Sequence, residues 1–274
     1  MALLIALSVS ATACGSELSG LPEDTFILMT SSDLAVGPQR VAIGALDGEN
    51  RSVASPEVGV QIEMFLPDGS PAGSVAGEFI WAIPDVRGLY VAEFDFDVAG
   101  AWTVSLVDDE GNRFVAPPFN VAEEAIAVDV GEAAPPSVSK TTDDGPLTEI
   151  TSDTDPEPAF YEMTVAEAVS SEQPSVIVFA TPAFCVSATC GPSLDTVKAA
   201  ATDFPDVNFV HVEVYDNLDA ASFDELILAE PILEWGLPTE PWVYVVDAGG
   251  TVAARFEGAI GENELRGALE AIGA

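Results

Sequence analysis

Basic side chains are scarce in this sequence: 8 Lys and Arg stand against 46 Asp and Glu, giving a formal net charge of −38 over 274 residues. A surface of that sign repels phosphate backbones, which argues against nucleic acid as a partner. It describes instead a strongly hydrated acidic coat that keeps the chain soluble. Histidine occurs once, as His211 inside Phe209-Val210-His211-Val212-Glu213; a lone histidine in a strand reads as a satisfied structural residue. Long apolar runs are missing. Ala2 to Val9 is too short to span a bilayer as a helix, and no later stretch is long and apolar enough. Cysteine occurs three times, at Cys14, Cys185 and Cys190.

The first cysteine carries an address. The apolar run leads to Ala11-Thr12-Ala13-Cys14-Gly15, and small residues just ahead of a cysteine resemble the lipobox of bacterial lipoproteins. The resemblance implies a signal peptide over residues 1–13, lipidation of Cys14 as the mature N-terminus, and a tether over 14–24. It places the protein outside the cytoplasm, held to the membrane by a lipid anchor. Thiols there face oxidising conditions, and with Cys14 assigned to lipid, Cys185 and Cys190 remain as an even pair that can persist as a disulfide.

Residues 25–121 have period two. Val58, Val60, Ile62, Met64 and Leu66 alternate with Gly59, Gln61, Glu63 and Phe65, and Pro67-Asp68-Gly69 ends the run. Tyr90 to Asp97 and Trp102 to Leu106 repeat the pattern. Each run puts one side on a core and the other in water. With Phe26–Thr30, Val41–Leu46, Glu78–Ile83 and Arg113–Val121, about seven short strands predict an all-β immunoglobulin-like sandwich. No cysteine lies within it, so no disulfide joins its sheets. Met29 and Met64 read as core, and no metal or cofactor is expected. Gly88-Leu89-Tyr90-Val91-Ala92-Glu93-Phe94 followed by Ala99-Gly100-Ala101-Trp102-Thr103-Val104 resembles extracytoplasmic domains of the YtkA type, which implies spacing or docking.

Residues 122–158 change character: acidic, rich in proline and nearly aperiodic, they predict an extended, self-repelling linker. Within it, Leu147-Thr148-Glu149-Ile150 could add an edge strand to a second domain. Residues 159–274 alternate strands and helices. Thr164-Val165-Ala166-Glu167 is a capping box, and Val176–Phe179 is a continuous apolar strand. Leu194, Val197, Ala201 and Phe204 mark a helix face, and Val207–Tyr215 is a strand. Ser222-Phe223-Asp224-Glu225 starts a helix that falters at Pro231. Trp242–Val246 and Val252–Phe256 form a hairpin, and Leu265, Ala268, Leu269 and Ile272 line a last helix.

That order, with Phe179-Ala180-Thr181-Pro182-Ala183-Phe184-Cys185-Val186-Ser187-Ala188-Thr189-Cys190-Gly191-Pro192 linking strand to helix and Thr239-Glu240-Pro241-Trp242 entering the penultimate strand, resembles the thioredoxin-like superfamily. The resemblance implies an α/β thioredoxin-like fold over 159–274 and a cis-proline facing the redox cysteine, here Pro241, with Pro238 second. The spacing departs from the family's C-x-x-C. Positions five apart on an ideal helix lie about 8–9 Å apart between Cα atoms, beyond the roughly 7 Å limit for a disulfide. A Cys185–Cys190 bond therefore needs Val186–Thr189 to be a loop, or a first turn that unwinds. Cys185 follows its strand more closely, as the family's attacking cysteine does, which leaves Cys190 to resolve. A helix N-terminus would lower the Cys185 pKa.

Two further resemblances are partial. A C-x4-C pair before Gly is similar to the peroxiredoxins named for comigration with bacterioferritin, but Pro182 and Val178 stand where that family needs Thr or Ser and Pro. Sco-type copper chaperones carry C-x3-C on this fold with a distal histidine, for which His211 is the sole candidate. The leading expectation is thiol–disulfide exchange with extracytoplasmic protein thiols or disulfides through Cys185 and Cys190. The alternative is a binding or assembly module whose disulfide is structural.

Overall fold

A computed structural model describes residues 20–274. Cys14 and the expected signal peptide lie outside the described residues, as does the tether up to residue 19. From Leu21 onward the chain is already docked, with Leu21 buried and its amide donating to Asp108 Oδ2 at 2.9 Å. Leu21 enters the sandwich core, so the described part of the stretch expected as a tether as far as Asp24 is packed from that residue onward.

Eight strands build the first unit: β1 (Phe26–Met29), β2 (Gly37–Leu46), β3 (Val60–Phe65), β4 (Pro71–Ile83), β5 (Arg87–Phe96), β6 (Gly100–Asp108), β7 (Arg113–Val115) and β8 (Phe119–Val121). Their order is β1-β2-β5-β4-β3-β6-β7, with β8 also on β6. β4 is the joint: Pro71–Gly77 pairs with β3 and Glu78–Ile83 with β5, so one bent strand serves both layers of a β-sandwich. Ile43, Ile62, Met64, Phe96, Trp102, Val104 and Leu106 are buried between the layers, and Met29 packs against them. The expected strand Arg113–Val121 is divided because Pro117 and Pro118 cannot donate to a ladder.

The acidic segment 122–158 is not a free linker. It runs along the second unit, with Ala127, Ala134, Ser137, Ser139, Thr141 and Ile150 buried. Val128 N donates to Trp235 O, Gly131 N to Val252 O and Ala134 N to Gly250 O. Its small residues are buried while Glu123, Glu124 and Glu132 stay in water, so the acidic composition describes mainly the outer side. Leu147–Ile150 is a single helical turn, α1, opened by Pro146, rather than an edge strand.

The second unit adds α2 (Val165–Val169), β9 (Ser175–Ala180), α3 (Cys190–Ala201), β10 (Asn208–Glu213), α4 (Glu230–Glu234), β11 (Trp242–Val246), β12 (Val252–Glu257) and α5 (Glu262–Ala271). The four strands lie in the order β10-β9-β11-β12, with β10 parallel to β9 and the other pairs antiparallel. β9 and β11 are buried throughout because each face is covered. On one face Val176, Val178, Val243 and Val245 meet α3 and α5 through Leu194, Val197, Leu265 and Leu269. On the other, Ile177, Phe179, Trp242 and Tyr244 meet Val165, Ile232, Trp235 and Ala134. The Thr164–Glu167 capping box is formed in both directions, at 3.1 and 2.8 Å. The helix expected from Ser222 is only one 3-10 turn, Phe223–Glu225. Pro231 sits in the first turn of α4, where its missing N–H costs nothing, so it starts a helix instead of ending one.

The two units share an apolar contact, Ala42, Ile80, Ala82, Leu89 and Val91 against Ala259. Two arginines close it. Arg40 forms a bidentate pair with Glu264, at 2.5 and 2.8 Å, and Arg255 is paired with Asp33 and Asp129, each at 3.0 Å.

Candidate functional site

β9 delivers the chain at Thr181 into a loop of two tight turns, with Phe184 N donating to Thr181 O at 3.2 Å and Ala188 N to Cys185 O at 3.3 Å. Ala188 lies at φ +60°, a left-handed conformation that keeps Val186–Thr189 out of a helix. The Cα atoms of Cys185 and Cys190 are thereby 6.0 Å apart, and the two sulfurs are joined as a disulfide. Cys190 is completely buried, whereas Cys185 remains partly accessible.

The start of α3 is aimed at Cys185. Thr189 makes no side-chain cap, and the Cys190 amide donates instead to Cys185 Sγ at 3.3 Å. Ser187 Oγ is 3.2 Å from the same sulfur and 2.7 Å from Thr189 Oγ1. From the sandwich, Arg87 reaches across to donate to Ser187 O at 3.2 Å. The Glu240–Pro241 bond is cis, and Pro241 directly precedes the pair Trp242–Phe179, at the end of the sheet from which the cysteine loop leaves. Burial raises the Glu240 carboxyl above its ordinary pKa.

Behind the loop lies a polar network that the sequence pattern did not reveal. His211 Nε2 donates to Ala180 O at 3.0 Å, which leaves Nδ1 to accept from Tyr161 Oη at 2.6 Å. Glu213 accepts from Ser152 N and Oγ, at 2.7 and 2.8 Å, and Ser152 Oγ accepts from Ala183 N at 3.2 Å, tying the carboxylate to the cysteine loop. The signal available in advance was Glu213 itself, an acid closing an apolar strand. With both ring nitrogens engaged, His211 offers no lone pair to copper. Among the described residues no group of three or more His, Cys, Asp or Glu could hold a metal ion.

Burial pushes the His211 pKa below its ordinary 6.5, against the opposing field of Glu213. The unfolded chain therefore takes up a proton first as pH falls. The stability tied to the neutral ring is complete above about pH 6.5 and is lost progressively below it, by at most about 1.4 kcal/mol per pH unit. Urea unfolding at pH 7.5 and 5.5 should show a loss in the wild type that is smaller in His211→Gln. An equal loss in both would place the titration elsewhere.

A cleft of about 200 Å³ opens beside the network, lined by Ile150, Glu213, Tyr215 and Pro231 among others. A larger cavity, about 850 Å³, lies between the two units, away from the cysteines. Its arginines, Arg40 and Arg255, are already paired.

No family model matches the chain, and no curated protein matches it. Solved structures give partial likenesses. The Lin-41 filamin domain is 15% identical, covers 39% of this chain and 100% of its own, and has a TM-score of 0.24. A superoxide reductase (neelaredoxin) from Ignicoccus hospitalis is 12% identical over 36% of this chain and 80% of its own, at 0.22. Salmonella alpha-2-macroglobulin is 13% identical over 94% of this chain and 16% of its own, at 0.27. Likeness at this level carries no argument about fold or chemistry.

Proposed function

We propose that this chain exchanges disulfides with extracytoplasmic protein thiols or disulfides through Cys185 and Cys190, on a second unit of thioredoxin-like fold, with an immunoglobulin-like sandwich in front and a lipid on Cys14 as membrane anchor. The single observation that carries the reading is the asymmetry of the disulfide: a partly accessible Cys185, whose sulfur accepts the first amide of α3, and a buried Cys190 behind it. The strand order and the parallel β9–β10 pair support the fold.

The chemistry balances from the oxidised form. A partner thiolate attacks Cys185 Sγ, the Cys185–Cys190 bond breaks, and its electron pair leaves on Cys190. A second partner thiolate attacks the partner sulfur of the mixed disulfide. The partner disulfide forms, and Cys185 departs as a thiolate beside the Cys190 amide, a placement that favours the anion. Two electrons pass from partner to protein; the reverse sequence reduces a partner disulfide.

A second reading has its own support. Arg87 of the first unit holds the loop through Ser187 O, as a purely structural clip would. Equilibration against glutathione or dithiothreitol couples separates the two. An exchanging pair should have a potential above about −300 mV, and a value below that, with resistance to thioredoxin, makes the bond structural.

A further inference from the structure

An aromatic cluster stands at the surface beside the cysteine loop. Phe184, adjacent to Cys185, meets Tyr215 at 5.9 Å and Phe223 at 6.5 Å between ring centroids, and Tyr215 meets Phe223 at 6.1 Å, all edge to face. Phe223 is 53% exposed, and Val186, on the other side of Cys185, is 84% exposed. Grouped exposed apolar residues mark interaction sites more often than scattered ones do. Tyr215 and Phe223 belong to the connection between β10 and α4, so their presence next to Cys185 owes nothing to the cysteine turn.

The charge around the cluster has one sign. Residues 215–228 contain Asp216, Asp219, Asp224 and Glu225 and no base. Lys140 pairs with Asp216 at 3.3 Å, which leaves the other three. Glu240 adds a carboxyl whose field reaches Tyr215. We propose that Phe184, Val186, Tyr215 and Phe223 form the docking surface for a cationic polypeptide segment that carries an apolar side chain beside its cysteine. The choice of a cysteine-bearing partner rests on the exchange reading. The cationic and apolar character rests on the surface alone, where complementary charge brings the segment in and the rings hold it.

Short fluorescein-labelled peptides with Ser in place of Cys test the surface without using sulfur chemistry. One is Lys-rich with Phe beside the Ser, a second is Lys-rich with a Gly there, and a third is Glu-rich with the Phe. Anisotropy titration of the oxidised full chain should favour the first peptide over each of the others by about tenfold. Phe223→Ser and Val186→Ser, both at exposed positions, should remove most of the margin that the peptide Phe provides. Equal binding of the two Lys-rich peptides, or no change in either variant, overturns the proposal in favour of general attraction to an acidic surface. Self-association that Phe223→Ser abolishes, seen by sedimentation, overturns it in favour of a second copy as occupant. A structural potential for Cys185–Cys190 would remove the exchange reading and leave these binding results standing, so the two failures are distinguishable.

Discussion

Cys190→Ser should accumulate mixed disulfides on Cys185, and Cys185→Ser should accumulate none. The expectation comes from which sulfur a partner can reach: Cys185 is partly accessible and Cys190 is buried. With Cys190 gone, nothing within the loop attacks the mixed disulfide, and the partner stays attached. With Cys185 gone, the remaining thiol sits under the loop and the first step is blocked. Either variant should slow turnover by more than about a hundredfold, since both cysteines act in one cycle. Both also lose the same cross-link, worth about 2 kcal/mol for a loop this short, so stability cannot account for a difference in trapping. Non-reducing gels with intact-mass analysis read the outcome. Trapping on Cys190 in the Cys185→Ser protein would reverse the assignment.

Arg255→Met should destabilise the whole chain by about 3–5 kcal/mol, because it leaves Asp33 as a buried charge without its partner. The Arg255 side chain is 8% exposed and that of Asp33 3%. Arg255 also donates to Gln39 Oε1 at 2.7 Å and to Asp33 O at 3.0 Å, and its guanidinium lies 5.6 Å over the Trp242 ring. Asp33 has other duties, accepting from Ile126 N at 2.8 Å and Ala127 N at 3.0 Å. Asp33→Asn should therefore be costly alone, and less costly in the Arg255→Met background than the sum of the two, by at least about 1 kcal/mol. Urea unfolding of the four proteins closes the cycle. A loss below about 1 kcal/mol for Arg255→Met would mean that water reaches Asp33 and that the units are loosely joined.

What the residues declared in advance depended on whether burial left a period. Val60, Ile62 and Met64 face one core across a tight pleat, and their alternation names β3 directly. Pro71–Gly77, the half of β4 that turns toward β3, is small and mostly exposed, so it offers no alternation to read. Leu89 and Val91 broke the phase of β5 with a meaning that emerged only in three dimensions: the second unit covers their face. Segment 122–158 misled because its packing uses backbone amides and Ala or Ser, while most of its acids face outward. At the site, the cysteine spacing required a loop or an unwound first turn, and a loop is there, since helical geometry sets a distance that the disulfide cannot accept. The Tyr161–His211 pair, 50 residues apart, and the Arg87–Ser187 bond, 100 apart, join segments with no common pattern, so only topology discloses them.

The arginines between the units have a consequence for how copies of this chain behave toward one another. Of eight basic residues, Arg40 and Arg255 lie in the joint, Arg40 paired with Glu264 and Arg255 with Asp33 and Asp129. The other six are spread over a chain that carries 46 Asp and Glu, so the outside is left predominantly anionic. A neighbouring molecule meets repulsion on nearly every approach. The two guanidinium groups that join the units are withheld from a surface already poor in bases, so intramolecular fit and the repulsion between separate chains draw on the same small set of cations.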